Sequence, residues 1–223
     1  MPTIAVENYL KHTLLLAERS RDGLVPMGEL ASAVAVVPGT ATTMVKSLAD
    51  AGLVVHQPRR GLRLTAEGRR VALNVLRKHR LVETFLVNVL KMDWAQVHTE
   101  AEQLEHAISD AVLDRLDALL GHPATDPHGD PIPSVEGALS SAVYATLATC
   151  ATNVSQRVVR VTDQSADFLT LAEAHGLRPG AAARVVDRNL PAGLVTLRHS
   201  RGKRFALSLA AAGRIWVAPA ETA

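Results

Sequence analysis

The spacing of apolar residues over the first 65 positions changes once, from a helical period to strict alternation. Apolar side chains recur every three or four residues within 4–19, and after two breaks they do so again within 27–35 and 40–51. Residues 53–64 then alternate around a Pro-Arg-Arg-Gly turn, which is typical of a β-hairpin. Three helices followed by a hairpin predict a winged helix-turn-helix.

The middle of the chain returns to the helical period. Helices are predicted over 65–90, 94–109 and 110–120. The segment from Gly121 to Pro133 is rich in proline, glycine and aspartate and therefore cannot be helical. We interpret this segment as a turn-rich connector, and the alternative is a metal site in which His122 and His128 flank Asp126.

The last third of the chain favours short strands. These are predicted over 158–161, 183–186, 194–198 and 204–207. One helix, over 166–175, lies among them, and Ser200–Lys203 is suited to a hairpin turn. Several short strands around one helix predict a small barrel.

The pattern as a whole predicts a mainly α protein with a small β domain. It divides the chain into a winged helix-turn-helix over 1–73, a helical domain over 74–140, a linker over 141–155 and the barrel over 156–223. The linker is assigned because residues 134–155 are weakly patterned and rich in alanine, serine and threonine.

The distribution of charge indicates two kinds of partner. Lysine and arginine outnumber aspartate and glutamate by nine to six in residues 1–73, whereas residues 74–121 have five of the former against eight of the latter. A basic head followed by an acidic, histidine-containing middle indicates one anionic and one cationic partner.

Several classes of protein are excluded by what the sequence lacks. A single cysteine, Cys150, rules out an intrachain disulfide scaffold. The chain has neither a signal-peptide pattern nor an apolar run approaching the roughly 20 residues that span a bilayer. It also lacks HExxH, GxSxG and P-loop motifs. We therefore expect a cytoplasmic protein that is not an enzyme and has no membrane partner and no organic cofactor.

The basic head offers a surface suited to double-stranded DNA. A recognition helix must present small polar side chains to base edges in the major groove, and basic residues at a hairpin tip suit phosphate or minor-groove contact. The candidates are Gly39, Thr40, Thr42, Thr43 and Lys46 on the third helix, and Arg59 and Arg60 at the tip. A solvated helix, or a winged helix that binds only protein, remains an alternative.

The acidic middle offers candidate metal ligands. His79 and Glu83 are four residues apart and share one helix face, and the next helix carries four more on one face: His98, Glu102, Glu105 and His106. Mixed imidazole and carboxylate ligands without nearby cysteine suit first-row divalent ions on the harder side. Each pair alone fits a surface ion pair equally well, but the whole set would repel unless a cation or water lies among it.

Several stretches together resemble the diphtheria-toxin-repressor (DtxR/MntR) family of bacterial metal-dependent repressors. They are Val6–Leu10, Arg77–Leu81 with Glu83, Val97–His98 with Glu102, Glu105–His106 with Ser109–Asp110, Asp126–Pro133 and Gly176–Gly180. The last stretch is similar to the small SH3-like (FeoA-type) domain of the long members. The resemblance covers nearly the whole chain, and the combination is specific although no single motif is.

The resemblance implies a homodimer that binds operator DNA when it is loaded with metal. The helical domain would form both the metal sites and the dimer interface. One site would combine Asn8 with Glu102, Glu105 and His106. The other would combine His79, Glu83 and His98, and family members often complete it from the C-terminal domain, where the nearby candidates are Asp163, Gln164 and Asp167.

The resemblance also bears on the ion. Iron-type members have cysteine where this chain has Glu102, whereas manganese-type members have a carboxylate, which favours Mn²⁺. Fe²⁺ is the alternative, and Co²⁺, Zn²⁺ or Cd²⁺ would substitute in vitro. Three positions depart from the pattern. Asn8 replaces the usual Asp or Met, Lys11 stands where some manganese-type members supply a second carboxylate, and Gly39 replaces a proline, so operator preference does not carry over.

The predicted function is a Mn²⁺-dependent repressor that controls metal-ion homeostasis genes. The first alternative is an Fe²⁺-responsive repressor of the same family. The second is a metal-dependent hydrolase built on the same ligands. The third is a metal-independent winged-helix regulator whose barrel senses a small ligand or a protein.

Overall fold

The computed structural model describes residues 3–140, 142–198 and 202–220 and divides the chain into two compact units. The first unit comprises the described residues up to His79, together with Leu104–Ile108 and Pro133–Leu139. The second comprises Arg80–Gln103, Ser109–Ile132 and the described residues from Ser140 onward.

The first unit is built on a winged helix-turn-helix, which confirms the predicted N-terminal fold. Its elements are α1 (Ile4–Ala17), α2 (Met27–Ala33), α3 (Pro38–Asp50), β1 (Val54–Gln57), β2 (Gly61–Leu64) and the start of α4 (Ala66–Asn88). Strands β1 and β2 pair antiparallel, with Val54 opposite Leu64 and Gln57 opposite Gly61. The core consists of fully buried apolar side chains, among them Leu10, Leu14, Leu30, Val45, Leu48 and Leu62.

Two local features of the winged domain depend on a proline and a glycine: the start of α3 and the position of the hairpin. Helix α3 begins at Pro38 rather than at Thr40, because proline suits the first helical turn, where its missing N–H is not needed. Backbone hydrogen bonds join Val25 and Leu62 in both directions, at 2.9 and 3.0 Å. At Gly61, φ is +134° and a Cβ would overlap the carbonyl oxygen of Val25, so the hairpin requires glycine there.

Beyond α4, the helices are shorter than the helical period predicts. They are α5 (Val97–Leu104) and α6 (Asp110–Leu119). Asp93 forms a turn before α5, in which its side chain accepts a hydrogen bond from the Ala95 backbone N–H at 3.0 Å. The Ser109 hydroxyl accepts from the Val112 N–H and so begins α6. These two side-chain hydrogen bonds lie at the starts of α5 and α6, and apolar spacing does not reveal such bonds.

The C-terminal part of the second unit is the predicted small β domain. Its elements are β3 (Ala145–Thr146), β4 (Gln156–Val161), α7 (Ala166–Ala174), β5 (Ala182–Ala183), β6 (Val185–Asn189), β7 (Leu194–Arg198), β8 (Arg204–Ser208), α8 (Leu209–Ala212) and β9 (Ile215–Pro219). The strands form two antiparallel sheets, in the orders β3-β9-β4-β5 and β6-β7-β8. Strand β9, which the pattern did not predict, pairs with both β3 and β4.

The range predicted as a linker, 141–155, differs from that expectation in the structure. Ala145 and Thr146 pair with Val217 and Trp216 of β9, and Leu147 and Cys150 are buried in the core of the β domain. A strand of two residues is too short to produce an alternation, which is why the weak pattern misled. The predicted turn at Ser200–Lys203 falls partly outside the described residues, since Ser200 and Arg201 are not among them.

No helix in the part of the chain that the structure describes is long and apolar enough to cross a membrane.

Candidate metal centres and DNA-binding surface

The first candidate metal centre lies in the first unit and is called here the Glu105 cluster. Its members are Glu7, Asn8, Lys11, His79, Glu105 and His106. Glu7, Asn8 and Lys11 lie on one side of α1 because they are spaced by one turn. His79 comes from α4, and the other two follow the end of α5. The cluster therefore joins α1 of the winged domain to residues 105–106.

His106 is the centre of the donor set. Its Nδ1 lies 2.6 Å from Glu7 Oε2, and its Nε2 lies 2.9 Å from Asn8 Oδ1 and 3.1 Å from Glu105 Oε1. The Glu105 side chain is 0% exposed and that of His106 is 5% exposed. Asn8 Oδ1 and Glu105 Oε1 lie at Nε2, whereas Glu7 lies at the other ring nitrogen. The amide oxygen, the carboxylate and Nε2 fit a first-row divalent ion, because each is a ligand that such ions accept.

A lysine is also built into this cluster. Lys11 Nζ donates to Glu105 Oε1 at 2.6 Å, and the other carboxylate oxygen, Oε2, lies 2.6 Å from His79 Nδ1. Both Lys11 and Glu105 are buried. Glu105 therefore has contacts with a cation and with two imidazoles.

The second candidate centre lies entirely in the second unit and is called here the His128 cluster: Glu83, Asp126 and His128. All three side chains are buried, and one ligand atom from each lies within 4.8 Å of the other two. Glu83 is on α4, whereas Asp126 and His128 belong to the loop that follows α6. These residues fit a metal because two of their polar atoms, Asp126 Oδ2 and His128 Nδ1, are buried without a hydrogen-bond partner among the described residues.

The hydrogen bonds around the loop orient those two atoms. Asp126 Oδ1 accepts from the backbone N–H groups of His128 and Asp130, at 2.8 and 2.9 Å, whereas Oδ2 accepts no hydrogen bond from the described residues and lies 3.7 Å from Arg80 Nε. His128 Nε2 lies 3.0 Å from the carbonyl oxygen of Trp94 and must donate to it, so a neutral ring keeps its lone pair on Nδ1. Metal-binding histidines commonly hold their other N–H in this way.

The electrostatics of the His128 cluster favour a cation. Burial, followed by the charges of Asp130 and Glu83, raises the pKa of the Asp126 carboxyl to about 7. Burial by itself lowers the pKa of His128, but the adjacent Glu83 and Asp126 outweigh it and raise that pKa to about 9. The shift at His128 shows that Glu83 and Asp126 stabilise a positive charge placed between them, whereas the shift at Asp126 is mainly an effect of burial.

The loop that carries the ligands is fastened to β4. The Val161 N–H donates to the carbonyl oxygen of His128 at 2.8 Å, and Asp130 pairs with Arg160. At Gly129, φ is +86° and a Cβ would overlap the carbonyl oxygen of Val159, so the loop can approach the strand only with glycine there.

The remaining predicted ligands are placed as follows. In the second unit, His98 lies 3.3 Å from Glu83 Oε1 through Nδ1 and 3.6 Å from Glu102 Oε1 through Nε2, with about half of its side chain exposed. Gln164 donates its amide N–H to Asp130 Oδ2 at 2.6 Å.

The two predicted carboxylates of the β domain have other settings. Asp163 pairs with Arg214 and accepts from the Ser165 N–H, and Asp167 is exposed in the first turn of α7. Neither belongs to a candidate metal group within the described residues.

One member of these clusters, Glu7, was not singled out by sequence reasoning, and two others were weighed as metal ligands but not chosen. Glu7 precedes the predicted ligand Asn8 on the same turn, and that adjacency was the available signal. Asp126 and His128 were assigned to a connector, because proline- and glycine-rich stretches indicate turns but not which side chains point inward.

The predicted DNA-binding residues are exposed or half-buried in the first unit. On α3, the residues Gly39, Thr40, Thr43 and Lys46 are exposed and Thr42 is half-buried, whereas Ala41, Val45 and Leu48 pack inward. The hydroxyls of Thr42 and Thr43 donate to backbone carbonyls one turn earlier, which leaves their oxygens as acceptors. Arg59 and Arg60 are exposed at the hairpin tip, and Arg59 has φ of +64°.

A winged helix with an exposed polar recognition helix, combined with buried carboxylate–imidazole clusters, defines a metal-responsive DNA-binding regulator. Three family models match consecutive parts of the chain. The N-terminal DNA binding domain of iron-dependent repressors matches residues 2–62, their metal binding and dimerisation domain matches 65–134, and the FeoA domain matches 145–219.

Individual relatives agree with these models. The chain is 34% identical to the iron-dependent repressor IdeR of Mycobacterium leprae over 86% of each chain. It is 32% identical to the diphtheria toxin repressor of Corynebacterium diphtheriae, over 87% of this chain and 88% of the relative. A solved manganese-dependent transcriptional repressor in complex with manganese is similar with a TM-score of 0.85 and 37% identity, covering 96% of this chain and all of the other.

The chain therefore belongs to the DtxR/MntR family of metal-dependent transcriptional repressors, as the sequence motifs predicted. The small β domain is of the FeoA type. Membership places the protein among repressors, so the comparisons lend no support to the alternative of a hydrolase. Iron-dependent and manganese-dependent repressors both appear among the relatives.

Proposed function

We propose that the chain is a Mn²⁺-activated repressor that binds operator DNA in the cytoplasm as a homodimer and controls metal-ion homeostasis genes. The observation that carries the proposal is the position of His106. Its two ring nitrogens lie 2.6 and 2.9 Å from Glu7 and Asn8 of α1, so the cluster joins a metal-ligand residue directly to the winged domain.

The Glu105 cluster suits a regulatory role because of what α1 also does. Leu10 and Leu14 of that helix are fully buried in the core of the winged domain. An ion held by Asn8, Glu105 and His106 would therefore stabilise one position of the winged domain relative to residues 105–106. The gain in DNA affinity cannot exceed the ratio of two metal affinities, that of the DNA-competent arrangement and that of the other arrangements.

Two sites are proposed. The regulatory site is formed by the predicted ligands Asn8, Glu105 and His106, with Glu7 orienting the His106 ring through its other nitrogen. Glu102 remains a predicted ligand of this site from the family resemblance. The second is formed by Glu83, Asp126 and His128, and His98 is adjacent to Glu83. His79 is placed with the regulatory site on its 2.6 Å contact with Glu105. Asp163, Gln164 and Asp167 remain predictions from the family resemblance.

The donor types favour Mn²⁺ over Fe²⁺. The proposed ligands are carboxylates, an amide and imidazoles, and Cys150 is buried in the core of the β domain, so it is not among them. Oxygen-rich ligand sets suit hard ions such as Mn²⁺.

Partial exposure of large apolar residues supports a dimer. On α6, Val112 is 49% and Leu119 is 65% exposed, and their spacing of seven residues places both on one face of the helix. The family model that matches residues 65–134 is described as a dimerisation domain.

Metal removal is the direct test. With Mn²⁺ present, the protein should enrich one duplex sequence from a randomised DNA library, and EDTA should lower its affinity for that duplex by about 5- to 150-fold, the usual range of allosteric coupling. Fluorescence anisotropy with the selected duplex measures this. Equal affinity with and without EDTA would contradict the proposal. A full response at a lower free concentration of Fe²⁺ than of Mn²⁺, measured without oxygen, would reassign the ion.

The DNA surface is tested by the salt dependence of binding. Lys46 is exposed on α3, and as a phosphate contact it would release about one counterion on binding. Lys46→Ala should therefore lower the slope of log affinity against log salt concentration by roughly 0.9 per protomer, about 1.8 for the dimer, and weaken all sequences alike. Lys203→Ala, which removes an exposed lysine of the β domain, is the matched control. An unchanged slope in Lys46→Ala would remove Lys46 from the interface.

A further inference from the structure

Lys11 is an unusual residue to find inside a cation-binding cluster. Its side chain is 2% exposed, and its Nζ lies 2.6 Å from Oε1 of Glu105, which is 0% exposed. Removing an ammonium group from water is costly unless a buried partner compensates it. The fold therefore places an amino group against a proposed ligand of the regulatory ion.

The lysine engages the same oxygen that faces the centre of the cluster. Glu105 Oε1 is 2.6 Å from Lys11 Nζ and 3.1 Å from His106 Nε2. The same nitrogen lies 2.9 Å from Asn8 Oδ1. An ion that used Glu105 Oε1 and His106 Nε2 as ligands would thus meet an oxygen already hydrogen bonded to an ammonium group.

We propose that Lys11 is a tethered competitor of the regulatory ion. In the metal-free protein its ammonium group neutralises Glu105. When the ion binds, it must share Glu105 with Lys11 or displace Nζ from it, and the two positive charges repel. This inference rests on the proposed function of the Glu105 cluster and adds a residue that lowers the affinity of that cluster for metal.

The charge balance explains why such a residue matters. Glu105 brings a negative charge to the side of His106 where the ion would bind, and Lys11 offsets that charge. A divalent ion is then attracted less strongly than it would be by Glu105 alone. The consequence is a higher metal concentration for half-activation, so Lys11 sets the concentration at which repression begins.

The test compares Mn²⁺ affinities in full-length chains whose second site has been disabled by Asp126→Asn. In that background, Lys11→Met should bind Mn²⁺ at least about tenfold more tightly, measured by competition with a chromogenic chelator. It should also be less stable than its parent without metal, because Glu105 loses its cation. Lys203→Met removes an exposed lysine and should leave the affinity unchanged.

Unchanged or weaker Mn²⁺ binding by Lys11→Met would overturn the inference. Lys11→Gln, whose amide can still donate to Glu105, guards against a folding defect and should also bind more tightly. If either variant folds only with Mn²⁺, the ion is replacing the lysine, as proposed. Failure of both to fold even in saturating Mn²⁺ would make Lys11 a purely structural counter-ion. If the proposed function were wrong, a different result would appear. His106→Ala in the Asp126→Asn background would then still bind the Mn²⁺ ion that its parent binds.

Discussion

Replacing His106 by alanine is expected to remove the effect of Mn²⁺ on operator affinity. His106 is the residue that contacts both Glu7 and Asn8 of α1, at 2.6 and 2.9 Å, so without its ring the proposed ion loses a ligand and its connection to the winged domain. The affinity of the variant with Mn²⁺ should fall to that of the metal-free wild type, a loss of about 5- to 150-fold. Fluorescence anisotropy with a selected duplex, with Mn²⁺ and with EDTA, measures both states.

The control for this variant is His122→Asn. His122 is exposed and pairs with Asp117, and asparagine tolerates its φ of +55°. The control removes an imidazole away from both clusters and should keep the full response to Mn²⁺. In the metal-free state, His106→Ala should bind DNA as the wild type does. A variant that still responded to Mn²⁺ as the wild type does would place the regulatory site elsewhere.

The second large effect is expected from Asp126→Asn, which should reduce bound Mn²⁺ from two ions per chain to one. Asparagine keeps an oxygen for the N–H groups of His128 and Asp130 but replaces the buried Oδ2 with an amide nitrogen. At a Mn²⁺ concentration one hundred times the dissociation constant, losing one site forfeits about 2.7 kcal/mol of stabilisation against unfolding. Equilibrium dialysis gives the number of ions, and thermal unfolding with and without Mn²⁺ gives the stabilisation.

The free energy of unfolding of Asp126→Asn without metal shows whether Asp126 is a metal ligand or a residue that supports the fold. Burial and the nearby carboxylates raise the pKa of Asp126 to about 7, so its charge is held at a cost in the metal-free protein. We therefore expect the free energy of unfolding without metal to change by less than about 1 kcal/mol. Asp114→Asn, at an exposed position of α6, should change neither quantity. Undiminished binding of two ions by Asp126→Asn would exclude the His128 cluster as a metal site.

The elements of the fold were largely predictable because apolar spacing controls them. The winged domain was predicted from three helices and an alternating pair of runs, and the long helix α4 from its helical period. The start of α6 at Asp110 matches the prediction, but α5 is shorter at both ends than predicted, since it begins after a turn that depends on a single side-chain hydrogen bond of Asp93. Strands as short as β3 have no period to detect.

The candidate sites were predictable only in part, for a different physical reason. Ligands four residues apart on one helix, such as His98 and Glu102, share a face that the sequence reveals. Contacts between distant segments are not visible in this way: Glu7 meets His106 across 99 positions. The role of Lys11 could not be predicted at all, because lysine is normally a surface residue and its burial depends on Glu105, 94 positions away.

The fastening of the ligand loop to β4 has a consequence for how such proteins can diverge. The loop depends on Val161 for a hydrogen bond to His128, and on Arg160 and Gln164 for partners of Asp130. All three lie in or next to the first long strand of the FeoA-type domain. In a protein that lost this domain, the loop would have no such support. We therefore expect the domain and the His128 cluster to be kept or lost together in evolution, whereas the Glu105 cluster could persist in a shorter protein.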